Sequence, residues 1–204
     1  MRSMVQKSLD RTESPAPQGD GGSYRLPRDG FYAGGPNTAL GLQDVSMARF
    51  HKHDVARLQL LTAVDIFLRG LDRSSVITLA GAASGILDTL VKRACKEPFV
   101  DYARRVHSEL VGYTPKRKSY SYHINIKLGV IAHRHLAKDD PDTVELDLEK
   151  QAVDVLGRAI SDYISLNGED EPFVKAFLSW AWKNTDGPTL MEKFKTVPDR
   201  MKPK

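Results

Sequence analysis

The sequence predicts an all-α protein, a helical bundle of about six helices with a disordered N-terminal tail. Three observations carry that expectation. Between residues 55 and 194 apolar side chains recur at three- and four-residue steps, which gives each segment one apolar face. Gly or Pro beside Asp or Ser punctuates these segments, as helix caps and short connections do. Residues 1–45 are instead dense in Pro, Gly, Ser and Asp with no apolar period, so they cannot bury enough surface to offset the entropy of ordering.

Taken in order, the first helix is expected from Ser46 or Asp54 to Arg69, with Leu60, Leu61, Val64, Phe67 and Leu68 on one face and Gly70 as its cap. Asp72 or Ser74 caps the next, Ser75 to Ala94, antiparallel to the first because the connection is short. This second helix contains Gly81 and Gly85. Each costs ~1 kcal/mol relative to Ala, an expense that close packing against a neighbouring helix would offset, and Ala80, Ala83, Ser84 and Leu87 form a small-residue ridge suited to it. A third helix, Pro98 to Leu110, carries Phe99, Tyr102, Ala103, Val106 and Leu110 on one side and is closed by Gly112 and Pro115. The fourth is expected from Lys116 or Ser119 to about Ala137, stopped by Pro141 because the residue before proline avoids helical backbone. The segment TVELDLE is a short strand or the first turn of a fifth helix running from Leu148 to Leu166. A sixth, Glu171 to Lys183, carries Phe173, Phe177, Leu178, Trp180 and Trp182, and a turn or two follows at Leu190 to Phe194.

These elements make one all-α domain over about 46–196, between the Pro/Gly-rich tail and a basic end at 197–204. Of the 204 residues, 41% are hydrophobic and 27% charged, ordinary for a soluble domain. Arg2 and Lys7 precede no apolar segment, so no secretory leader is expected. The single cysteine, Cys95, reads as a small half-buried hydrophobe at a helix end. A cytoplasmic protein with no membrane contact is expected.

The net charge of +4 hides a strong segregation. Lys92 to Lys138 carries eleven Lys and Arg against three acids, and Asp139 to Glu171 carries eleven acids against two bases. Such asymmetry marks an interaction surface, or two faces that pair with each other. The change of sign falls in Ser121–Asp147, which also holds three of the six histidines.

Several chemistries can be weighed on this stretch. His133 and His135, two apart, point ~160–200° from each other on a helix and do not share an ion; no His-x-x-x-His or Cys-x-x-Cys spacing is present, so neither metal nor cofactor is expected. The segment GAASG lacks the order of a nucleophile elbow and the Gly-Lys-Ser/Thr of a phosphate loop. Lys116, Arg117 and Lys118 beside Tyr113, Tyr120 and Tyr122 offer cations for phosphates and aromatic planes for bases. On that pattern Lys116, Arg117, Lys118, Tyr120 and His123 are the expected RNA-binding residues.

Arg117 to His123, RKSYSYH, meets the R-x(4–6)-H spacing of HEPN-type helical proteins, and the length and run of helices resemble theirs. AVDIFLRGLDRSSVITLAGAA, Ala63 to Ala83, resembles a hairpin in a group of uncharacterised bacterial helical-bundle proteins. RHLAKDDPD, Arg134 to Asp142, resembles that group's K-H-A-x-x-D-P-D segment, with Arg for Lys and one extra residue. The resemblance covers about residues 55–180. It implies an Arg/His chemistry on the RNA 2′-hydroxyl and phosphate, metal-independent and ribonuclease-like, with His135, Arg134 and Asp140 as the catalytic candidates. The chain departs from that pattern at Val130, where the group has Arg. A His at a helix C-terminus beside carboxylates is favoured in its protonated form and suits a general acid, or a clamp that fixes the helix end to the loop. The leading expectation is a HEPN-like protein that binds or acts on RNA or engages a partner protein. The alternative is a non-catalytic interaction module, a homodimer that buries the aromatic face of Glu171–Lys183.

Overall fold

A computed structural model describes residues 49–135 and 142–203. The expected tail, residues 1–45, therefore lies outside the described residues. Among the described residues are seven α-helices, one short 3₁₀ turn and no strand. The helices are α1 (Lys52–Leu68), α2 (Arg73–Arg93), α3 (Phe99–Val111), α4 (Arg117–Lys127), α5 (Leu148–Asn167), α6 (Pro172–Asn184) and α7 (Gly187–Thr196), followed by η1 (Asp199–Met201).

The core forms around α2, which packs between α1 and α5. Its small-residue ridge is what allows this: Ala80, Ala83, Ser84 and Leu87 are all buried, so neighbouring helices approach the backbone closely. By length and composition α2 could cross a membrane, but its Val76, Ile77, Leu87 and Val91 are buried inside the bundle. From α1 come Ala56, Leu60, Ala63, Val64 and Phe67, and from α5 Val155, Leu156, Ala159, Ile160 and Tyr163. Leu61 and Leu68, expected on the α1 stripe, are about two-fifths exposed; Ala56 and Ala63 take the buried face instead.

Local chemistry sets the ends. Asp72 caps α2, accepting from the backbone N–H groups of Ser74 at 3.1 Å and Ser75 at 2.8 Å. Gly70, Gly112 and Gly168 follow α1, α3 and α5 with φ of 70°, 73° and 77°, a left-handed conformation open to glycine without strain. Cys95 adopts the same conformation with φ 56° and is exposed. This corrects the half-buried reading: the residue occupies the reversal that closes α2, where Lys96 N–H reaches back to the Val91 carbonyl, and a reversal points its side chain away from the core.

Three of the expected elements differ. The fourth helix ends at Lys127, ten residues before the expected Ala137. Gly129 is the reason: with φ 70° it reverses the chain, and its N–H donates to the Ile126 carbonyl at 2.9 Å. The following turns bury Leu128 and Val130. Residues 143–147, part of TVELDLE, are irregular, and Asp147 caps α5. At the other end, α7 is a ten-residue helix where one or two turns were expected.

α3 is peripheral, with Val100 buried and Leu110 exposed, so the apolar side read from its sequence reaches the core only in part. η1 packs against α3, where Arg200 Nε donates to Glu109 at 2.8 Å and Arg105 donates to the Lys202 carbonyl at 2.8 Å. α6 closes the far side of α1 through Phe173, Val174 and Phe177, and the Trp180 ring meets Phe67 edge-on at 4.6 Å.

Candidate functional site

The strongest concentration of unpaired chemistry lies on α4 and the turn after it. α4 contributes no fully buried side chain; half-buried Ile124 packs on the core, and polar contacts hold the rest of the helix to the body. Arg117 Nε donates to both oxygens of Asp101 at 2.9 and 3.0 Å, and its terminal nitrogen to Asp88 at 2.6 Å. Burial opposes its charge, but hydrogen bonds to Asp101 and Asp88 and the field of both carboxylates outweigh it and hold the guanidinium above its ordinary pKa. Tyr120 Oη donates to the Ala103 carbonyl at 3.0 Å, and Asn125 accepts from Arg158 at 2.6 Å.

The opposite side of α4 is free. Lys118, Tyr122 and Ile126 stand four residues apart on one exposed row, with Ser119, His123 and Lys127 beside it. Tyr122 is 54% and Ile126 46% exposed. Among the described residues no carboxylate pairs with Lys116, Lys118, Lys127 or Arg134, whereas Arg104, Arg105 and Arg117 each have one. The basic region thus divides into cations spent on the fold and cations left facing water.

This free row runs into a cleft of about 690 Å³. α4 and the 128–135 turn supply Tyr122, Ile126, Lys127, Arg134 and His135 to its lining; the chain entering α5 supplies Asp142, Val144, Glu145 and Gln151. A cleft of this size, part apolar with a few polar groups, suits a small ligand or one unit of a polymer. His133 Nδ1 donates to the Gly129 carbonyl at 2.7 Å, which holds the turn. Gln151 Nε2 donates to the Lys127 carbonyl at 3.2 Å and ties α5 to the end of α4.

Beneath α4 lies a buried charge network. Arg158 and Asp162, one turn apart on α5, are 5% and 1% exposed. Asp162 accepts from the Phe99 N–H at 2.7 Å and so caps α3 from another helix. Burial pushes its carboxyl up to about 6, against the opposing pull of that N–H and of Arg158. Arg158 Nε, the second oxygen of Asp162 and Ser84 Oγ are buried without a partner among the described residues, which is what ordered water inside a fold commonly serves.

Of the catalytic candidates, Arg134 and His135 lie side by side, exposed, in the cleft lining. Asp140 lies outside the described residues. His135 does not end a helix: α4 stops at Lys127, so the helix-end dipole expected at His135 belongs to the Leu128 region instead. Among the RNA-binding candidates, Lys116, Lys118 and His123 are exposed. Arg117 faces inward to Asp88 and Asp101, and Tyr120 packs against α3 with its ring 5.4 Å from that of His107. Arg117 and His123 therefore occupy different faces of α4 and are not brought together.

Tyr122 was already read as an aromatic plane for bases; Ile126, Lys127, Asp142 and Glu145, which line the cleft with it, were not named as site residues. The i, i+4, i+8 row of Lys118, Tyr122 and Ile126 was the available signal, obscured by the expectation of a helix running on to Ala137. Among the described residues no three His, Cys, Asp or Glu side chains gather as a metal site. No family model, no curated protein and no solved structure matches the chain.

Proposed function

We propose that the protein binds single-stranded RNA along the outer face of α4, with the cleft at its end receiving the strand. One observation carries this reading: unpaired Lys118 stands one turn from the half-exposed ring of Tyr122 on the outer side of α4, and Tyr122 in turn lines the cleft at the helix end together with unpaired Lys127 and Arg134 and with His135. Cations along a track neutralise phosphates, and an exposed aromatic plane accepts an unstacked base. Duplexes hide their bases, so the tyrosine favours a single strand. The test is fluorescence anisotropy with a labelled single-stranded RNA. Binding should fall steeply between 50 and 200 mM salt, and Tyr122→Ala should weaken it about tenfold, the lower end of what one stacked base is worth. Salt-independent binding, or full affinity in Tyr122→Ala, would refute the reading.

A second reading, self-association, has its own observation. A Cβ added to Gly187 would lie 2.6 Å from the Trp182 ring, so the face of α7 that starts at Gly187 begins under that ring. The same face continues as Leu190, Met191 and Phe194, exposed by 53%, 47% and 42%. An apolar stripe of this kind suits a second copy. Sedimentation of the wild type and of Leu190→Glu decides it: a dimer lost in the variant supports this reading.

A further inference from the structure

The cleft differs from the track that leads to it in one respect: it also contains carboxylates. Lys127 and Arg134 supply two cations to its lining, and Asp142 and Glu145 supply two acids. Among the described residues neither acid forms an ion pair, although both share a cleft with the cations. Both are exposed and lie in or beside the irregular stretch before α5, so neither caps a helix; that role at this end belongs to Asp147.

A groove built for phosphate alone gains nothing from carboxylates, which repel the backbone it has to hold. Carboxylates are acceptors only. Their presence beside cations and an aromatic ring suits a ligand that carries an anion, a planar face and hydroxyl or amino donors together. A nucleotide unit has all three. Its phosphate suits Lys127 and Arg134, its base the Tyr122 ring and the apolar lining of Ile126 and Ile131, and its donors the two acids. The donor that separates the two nucleic acids is the 2′-hydroxyl.

Resting on the single-strand reading above, we infer that this cleft is a subsite for one ribonucleotide, in which Asp142 and Glu145 accept from the sugar 2′-hydroxyl and so select RNA over DNA. Cations on the outer face of α4 supply affinity to both polymers. The acids subtract from both by repulsion, and return the difference only where a 2′-hydroxyl is present. Selectivity and affinity are thus carried by different residues.

The experiment compares labelled single-stranded RNA and DNA of one sequence, at one salt concentration, on the full chain. The wild type should prefer RNA by about tenfold, the worth of one hydrogen bond to a charged acceptor. The double variant Asp142→Ala/Glu145→Ala should lose that preference while binding DNA as well as the wild type or better, because two repulsive charges are gone. The companion Asp142→Asn/Glu145→Gln keeps acceptors at both positions and should retain part of the preference. Equal wild-type binding of RNA and DNA, or a preference that survives alanine at both positions, overturns the subsite and leaves the α4 track standing. Binding of neither polymer overturns the single-strand reading and the subsite with it. The acids are exposed and outside helices, so all three proteins should melt at the same temperature, which excludes misfolding as the cause of any difference.

Discussion

Val130 packs directly on the backbone of Gly81: a Cβ placed on Gly81 would lie 2.9 and 3.0 Å from the two Val130 methyl carbons and 3.4 Å from the Arg134 guanidinium. The glycine in the middle of α2 is therefore required by the turn after α4. The same contact accounts for the departure from the R-x(4–6)-H pattern at Val130, since this position is 2% exposed and faces the core helix, where an arginine would bury its charge.

The two glycines of α2 should consequently respond in opposite directions to alanine. Gly85 has nothing within 4 Å of an added Cβ, so Gly85→Ala should gain up to about 1 kcal/mol through helix propensity. At Gly81 that gain is outweighed by a clash with a stiff, buried valine, and a loss of about 1–3 kcal/mol is expected. Urea denaturation of the two variants checks the sign of each.

Asp162 should give stability an unusual pH dependence. Its carboxyl is raised by burial from an ordinary 3.8 to about 6, so between those values the folded state holds a proton that the unfolded chain has released. Stability attributable to this group is then highest below pH 4, falls as pH rises through 6, and stays lower above it. The change is of the order of 3 kcal/mol for a displacement from 3.8 to about 6. Asp162→Asn keeps an oxygen for the Phe99 N–H and removes the titration. The difference in unfolding free energy between wild type and variant, measured at pH 4.5 and 7.5, should shift in the variant's favour at the higher pH.

Neighbouring cations on α4 should separate stability from binding. Arg117→Gln leaves Asp88 and Asp101, both less than a quarter exposed, without their guanidinium, and should cost about 1–3 kcal/mol, as losing a charged hydrogen-bond partner does. Lys118→Glu touches no described partner and should leave the melting temperature within a degree or two. RNA affinity should fall in Lys118→Glu, and in Arg117→Gln only as far as the folded fraction falls. Thermal melts and anisotropy on the same preparations make the comparison.

Catalysis through the Arg/His pattern requires two side chains on one scissile phosphate. Arg117 is committed to two carboxylates, and Val130 stands at the other arginine position. We therefore expect the wild type and His135→Ala to leave single-stranded RNA equally intact after incubation and gel separation. Cutting by the wild type that disappears in His135→Ala would establish His135 as the acid after all.

The helices were legible where local chemistry decides them. Asp72, Gly70, Gly112 and Gly168 punctuate the chain in sequence as they do in space, and the ridge of Ala80, Ala83 and Ser84 read as a packing surface is the centre of the core. α4 was overextended because the apolar spacing runs on past Gly129, through Val130 and Ile131. The left-handed backbone of that glycine is fixed by tertiary contacts: the Val130 side chain against Gly81, and Gln151 close to Gly129. The candidate site was legible in part. Lys116, Lys118 and His123 are exposed as a binding surface requires, yet periodicity alone could not tell Arg117 from Lys118, because the difference lies in Asp88 and Asp101 on other helices. The cleft itself joins residues more than fifteen positions apart in sequence, and its acids were read only as part of a charge run.

The reversal at Cys95 gives the chain a practical property. It carries one thiol, exposed at the close of the central helix and away from α4 in sequence. A maleimide dye or nitroxide spin label would therefore attach at a single defined place with no engineered cysteine. A second label on the RNA would then convert strand polarity along α4 into a measured distance, reporting which end of the oligonucleotide enters the cleft.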